Sequence, residues 1–98
     1  MFSLEGKVIV VTGATGILGG AFIEAIANAG AVVGVLGRNE QVANERVEKI
    51  NAAGGKAVAL IADILDEKQL NVAANTMVDL YGKIDGLVNA AGGNMPEA

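Results

Sequence analysis

Residues 7–20 read K-V-I-V-V-T-G-A-T-G-I-L-G-G. Val8, Ile9, Val10 and Val11 form an unbroken β-branched run, which suits a central parallel strand buried on both faces. Glycines follow at 13, 16 and 19, and a helical apolar pattern begins at Ile17. A strand that turns through glycines into a helix N-terminus is a ready anion site, because free backbone N–H groups and the positive end of the helix dipole converge on the turn. In a dinucleotide-binding turn Gly13 makes the tight bend, Gly16 lets the backbone approach a pyrophosphate, and Gly19 lets helix and strand pack closely. The buried strand before the glycines and the helix after them supply the context that the glycines alone lack.

Outward from this turn, the chain alternates. Leu18, Ala21, Phe22, Ala25, Ile26 and Ala29 recur at helical spacing and predict the buried face of a first helix, with Gly30 as its terminator. Ala31–Leu36 reads as a second buried strand, and Asn39 as the N-cap of a helix running to Ala53. That helix carries Ala43, Val47 and Ile50 on one face and Glu45, Arg46, Glu48 and Lys49 on a solvated one. Lys56–Ala62 reads as a third strand, and Asp66 with Gln69 as the capping box of a helix through Tyr81. Ile84–Ala90 reads as a fourth strand. The order β-α-β-α-β-α-β predicts an α/β fold, a doubly wound parallel sheet. Right-handed crossovers give it the strand order 3-2-1-4. The glycine turn then opens into a crevice whose far wall starts at Asn89.

Composition narrows the chemistry. The 98 residues suit one small domain, 1–98, and the 52% apolar content suffices for a core. A net charge of −4 without a basic cluster argues against a nucleic-acid surface. The absence of cysteine and histidine removes thiol nucleophiles, the usual zinc sites and histidine acid–base catalysis. No apolar run approaches the roughly 20 residues of a bilayer span, and the first residues do not read as a signal peptide. The expectation is a soluble cytoplasmic protein with no membrane partner.

Thr12-Gly13-Ala14-Thr15-Gly16-Ile17-Leu18-Gly19, Ala62-Asp63-Ile64 and Asn89-Ala90-Ala91-Gly92 together resemble the short-chain dehydrogenase/reductase family over nearly the whole chain. The resemblance implies a Rossmann-type fold and an NAD(P)-dependent oxidoreductase that moves hydride between a nicotinamide and a carbonyl or alcohol. It also implies homo-oligomers and a small-molecule substrate for the full-length enzyme. The spacing T-G-x-x-G-x-x-G looks like the longer, epimerase-type branch of the family. Gly82-Lys83-Ile84-Asp85 followed by Leu87–Gly92 is similar to the single-domain dehydrogenases instead. Gly92-Gly93-Asn94-Met95-Pro96 looks like dehydrogenases of sugar acids such as mannonate or fructuronate.

Cofactor choice is read at the end of the second strand, where an acid accepts the ribose 2′-OH of NAD and an arginine accommodates the 2′-phosphate of NADP. Gly37 stands where the acid is expected and Arg38 follows, which favours NADP over NAD. Arg38 and Asn39 are therefore assigned to the cofactor site, the alternative for Arg38 being an ordinary solvated charge. Thr15, Ile17 and Leu18 are expected to meet the phosphates through their N–H groups. By resemblance, Asp63 and Ile64 lie beside the adenine ring, although Asp63 reads equally well as a strand-terminal cap. Asn89, Ala90, Ala91 and Gly92 line the wall behind the ribose, or join the strands across the crevice, or both. Thr12 reads as structural.

The family's catalytic serine, tyrosine and lysine lie beyond the fourth strand. Here the one serine, Ser3, precedes the first strand, and four residues after the one tyrosine, Tyr81, stands Asp85. No catalytic set is found. The 98 residues read as the first half of a longer dehydrogenase, inactive alone, with the nicotinamide side of the site and the second half of the fold still to come. A non-catalytic dinucleotide-binding module is the alternative.

Overall fold

The structure, a computed structural model, describes residues 3–16 and 18–90. Within them run β1 (Val8–Thr12), α1 (Gly19–Asn28), β2 (Val32–Gly37), α2 (Glu40–Ala52), β3 (Lys56–Ile61), α3 (Glu67–Tyr81) and β4 (Gly86–Asn89). All four strands are parallel, in the order β3-β2-β1-β4. The doubly wound sheet expected from the sequence is therefore present, with its switch point between β1 and β4.

Alternation along the strands builds two cores. Ile9, Val11, Val33 and Val35 turn to one face and pack with Ile23 of α1 and with Ala43 and Ile50 of α2. Val8, Val10, Leu36 and Leu60 turn to the other and pack with Ala73 and Met77 of α3. β1 is buried at all five positions because helices cover both of its faces and strands flank both of its edges. Burial of one such valine or isoleucine contributes about 1.5–3 kcal/mol. Among the described residues no helix is long and apolar enough to cross a membrane.

Caps set the helix ends where the sequence placed them. Asn39 Oδ1 accepts from Val42 N–H at 3.1 Å, and Asp66 Oδ1 accepts from Lys68 and Gln69 N–H. α1 ends in a Schellman turn, with Gly30 N–H on Ala27 O and Ala31 N–H on Ile26 O, and Gly30 takes the left-handed φ of +105° that this closure requires.

The rotation of α1 differs from the expected one. Gly19 and Ile23 face the sheet, whereas Leu18 is 58% exposed and Phe22 44%. The helix also starts two residues later than the apolar pattern, with Leu18 as its N-cap. Backbone clearance decides both. A Cβ on Gly19 would stand 2.6 Å from the carbonyl carbon of Ala14, so only this residue can face the strand so closely, and 23 and 26 follow it onto the sheet at helical spacing.

Asp85 fastens β4 to the start of β1. Its Oδ2 accepts from Val8 N–H at 2.8 Å and pairs with Lys83 Nζ at 3.0 Å, while its own N–H donates to Val8 O at 2.7 Å. The Val8 N–H, and after it Lys83, hold the carboxyl below its ordinary value. A depressed carboxyl contributes stability that is fully present above the unfolded value of about 3.9 and is lost as pH falls through the folded one. Asp85→Asn is therefore expected to be less stable than the parent at pH 7, with the gap closing below about pH 4. Chemical denaturation across that range checks this, and a gap independent of pH counts against it.

At the other border of the sheet, Asn51 makes a side-chain bridge to β3. Its Oδ1 accepts from Ala57 N–H at 2.8 Å and its Nδ2 donates to Ala57 O at 3.3 Å. β4 carries no such cover among the described residues, and Leu87 on it is 69% exposed. A bare apolar edge invites pairing with another strand. A polypeptide of residues 1–98 is expected to self-associate at high concentration, and a cooperatively unfolding monomer in light scattering would count against that.

Candidate nucleotide site

The carboxyl ends of β1, β2 and β3 open into one cavity of about 700 Å³. Three segments meet around it. The glycine turn supplies Gly13, Thr15, Gly16, Leu18 and Gly19; the end of β2 supplies Leu36, Gly37, Arg38 and Asn39; the end of β3 supplies Ala62, Asp63, Ile64 and Leu65. Ala90, just past β4, closes the far side. A crevice at a switch point beyond the carboxyl ends of parallel strands is where open α/β sheets take their ligands.

The turn is tightly built. Gly13 adopts φ +69°, a left-handed conformation that side chains rarely take, and Ala14 N–H donates to Leu36 O at 3.0 Å. Gly16 N–H folds back onto Gly13 O at 3.1 Å. α1 then begins with no side-chain cap from Leu18 and no acidic residue in its first turn. Neither feature therefore neutralises the positive end of the α1 dipole.

At the end of β2, Thr15 lies over Gly37. A Cβ on Gly37 would stand 2.6 Å from Thr15 Cγ2, so no side chain, acidic or otherwise, fits there while Thr15 keeps its place. Arg38 follows, exposed, and its guanidinium makes no hydrogen bond or ion pair among the described residues. Asn39 borders the cavity while its side chain caps α2.

The β3 end is braced by a short network. Asp63 Oδ1 accepts from Leu65 N–H at 2.9 Å, Asp63 N–H donates to Gln69 Oε1 at 2.7 Å, and Gln69 Nε2 donates to Asp66 Oδ2 at 3.2 Å. Asp63 thus does act as a turn-forming cap, and in the same position it borders the cavity with Ile64. The expected capping box is modified, since Gln69 reaches past the N-cap to the amide of Asp63. Across the crevice, buried Thr12 donates to Asn89 Oδ1 at 3.1 Å, and Ala90 N–H donates to Thr12 O at 2.9 Å. Asn89 joins the strands beside the cavity, whereas Ala90 lines it. Ile17, Ala91 and Gly92 lie outside the described residues, as does the segment from 93 to 96.

Some contributors escaped the sequence reading. Leu36, at the end of β2, and Leu65, from the β3–α3 turn, form part of the wall, and no local pattern marks either as a site residue. Arg46 does not stand on a solvated face, because its Nη1 donates to Ala14 O and, at 2.7 Å, to Gly16 O. Its spacing held a signal: it lies three residues after Ala43 and four before Ile50, both buried.

A glycine turn, a parallel switch point and a cavity bordered by the ends of β1–β3 define a Rossmann-type α/β unit. The chain belongs to the short-chain dehydrogenase family, whose model (short chain dehydrogenase) matches residues 7–98. It is 40% identical over 96 residues to the uncharacterized oxidoreductase UxuB of Bacillus subtilis (strain 168), covering 98% of this chain and 34% of that protein. Its fold superposes with a TM-score of 0.88 on a candidate D-mannonate oxidoreductase from Haemophilus influenza solved with bound NAD, at 34% identity, covering 99% of this chain and 35% of that one. A 7α-hydroxysteroid dehydrogenase complexed with NADH and 7-oxo glycochenodeoxycholic acid superposes at 0.85, with 38% identity over 89% of this chain and 34% of that one. The chain thus spans about a third of the length of these relatives.

Proposed function

We propose that residues 1–98 form the adenosine and pyrophosphate half of the cofactor site of an NAD(P)-dependent oxidoreductase. The carrying observation is the cavity itself, which brings ten of the fourteen residues assigned from the sequence to one crevice at the switch point. In this reading the turn from Gly13 to Gly19 holds the pyrophosphate on the N-terminus of α1. Asp63 and Ile64 flank the adenine, and Asn89 to Gly92 back the ribose. The nicotinamide, when bound, supplies or takes up a hydride at a carbonyl or alcohol carbon. The residues described here bind and orient; acid–base chemistry falls to a serine, a tyrosine and a lysine elsewhere in the parent enzyme. Ser3 and Tyr81 are poor substitutes. Both sit toward the opposite end of the sheet, where Leu4 bonds the end of α1 and where Asp85, just after Tyr81, bonds the start of β1.

Preference for NADP is supported by Arg38, which has no partner among the described residues, and by Gly37, which has no room for an acid while Thr15 keeps its place. A sugar-acid substrate is favoured by the Gly92–Pro96 sequence and by the Haemophilus relative. Calorimetric titration of the chain with 2′,5′-ADP and with 5′-ADP tests the half-site directly. Both are expected to bind, the 2′-phosphate more tightly. A folded sample that binds neither reduces the glycine turn to architecture.

A further inference from the structure

We infer that Arg46 is a positioning residue of the glycine turn, a clamp that aims the turn's amides at the bound phosphates. It deepens the proposed dinucleotide reading and rests on it. Arg46 reaches from α2 across Gly20, where a Cβ would lie 3.4 Å from its Cζ, and a single nitrogen, Nη1, donates to the carbonyls of both Ala14 and Gly16. The peptide unit is planar and trans, so its C=O and N–H point in opposite directions. Drawing the Ala14 oxygen toward α2 therefore turns the N–H of Thr15 the other way, and the bond to the Gly16 oxygen ties the turn to α2 at a second point. Thr15 itself borders the cavity. A guanidinium on these oxygens also polarises the peptide units so that their N–H groups become stronger donors to an anion. Arg46 acts through the backbone and does not itself line the cavity.

The test compares the parent chain with Arg46→Met, which keeps an apolar stem and loses the donors, and Arg46→Lys, which keeps a charge and a donor. Each is titrated with 5′-ADP and with adenosine, and hydrogen exchange is followed at the Thr15 amide. Arg46→Met is expected to weaken 5′-ADP by about 10- to 100-fold, the range typical of residues that orient ligands from behind. Adenosine affinity stays within about twofold, exchange at Thr15 quickens, and Arg46→Lys recovers part of the 5′-ADP loss. A merely structural role would weaken both ligands alike or neither, and either result overturns the clamp. Failure of the parent chain to bind 5′-ADP, in a sample shown to be folded, overturns the dinucleotide reading and the clamp's purpose with it.

Discussion

Gly19→Ala is expected to be the most damaging single-methyl change in the chain. The added Cβ would stand 2.6–2.7 Å from three backbone atoms of Ala14, and backbone at a bonded turn cannot step aside as a side-chain tip can. Overpacking of this kind costs about 1–3 kcal/mol, and the top of that range is expected here. For a domain of this size each kcal/mol lowers the melting temperature by about 4–8 °C, so a fall of more than about 10 °C should be seen. Two neighbouring glycines calibrate the result. Among the described residues, a Cβ on Gly16 would meet only Gly13 O at 3.3 Å, and one on Gly20 only the Arg46 side chain at 3.4 Å. Gly16→Ala should cost less than Gly19→Ala. Gly20→Ala, inside α1, should be neutral or gain up to about 1 kcal/mol from helix propensity. Thermal melts of the three variants decide it, and equal losses at 19 and 20 would sink the close-approach account of α1.

The second large effect concerns the ligand. Arg38→Ala is expected to weaken 2′,5′-ADP about 10- to 100-fold, because a charged hydrogen bond of about 1.5–3 kcal/mol is lost. The same change should alter 5′-ADP by no more than about twofold, since the 2′ position then offers no charge to recognise. Equal losses on both ligands remove Arg38 as the reader of the 2′-phosphate. Gly37→Asp is the complementary change. It is not expected to create an NAD preference by itself, because Thr15 Cγ2 lies 2.6 Å from where the new Cβ must go.

How far the sequence reaches is visible residue by residue. Val8–Val11 announced a central strand because a β-branched run without a polar gap fits only a strand covered on both faces. The strand order followed from the alternation of elements and the handedness of crossovers, and Asn39 and Asp66 marked helix starts by the local chemistry of their side chains. The rotation of α1 was not legible. Of the expected face, Ile26 does pack on the core while Leu18, Phe22 and Ala25 stay outward, because clearance at a residue with no side chain, Gly19, brings Ile23 onto the sheet. Arg46 was misplaced for a related reason, since its partners are backbone carbonyls whose direction depends on the fold of the turn. Asp63 read equally as cap and as site residue; it caps the turn after β3 and in the same position borders the cavity.

The bridge from Asn51 to Ala57 leaves the sheet with unequal borders. A side-chain amide that offers one acceptor and one donor imitates the peptide of a neighbouring strand, so the first rung on the outer side of β3 is already filled. Lys56 beside it, exposed, adds a charge that an incoming strand would have to desolvate. Copies that stack β4 against β3 add head to tail, whereas two copies that meet through β4 close as a pair. The partly filled border at Ala57 tilts association of the 98-residue polypeptide toward pairing through β4, the border that no described side chain bridges.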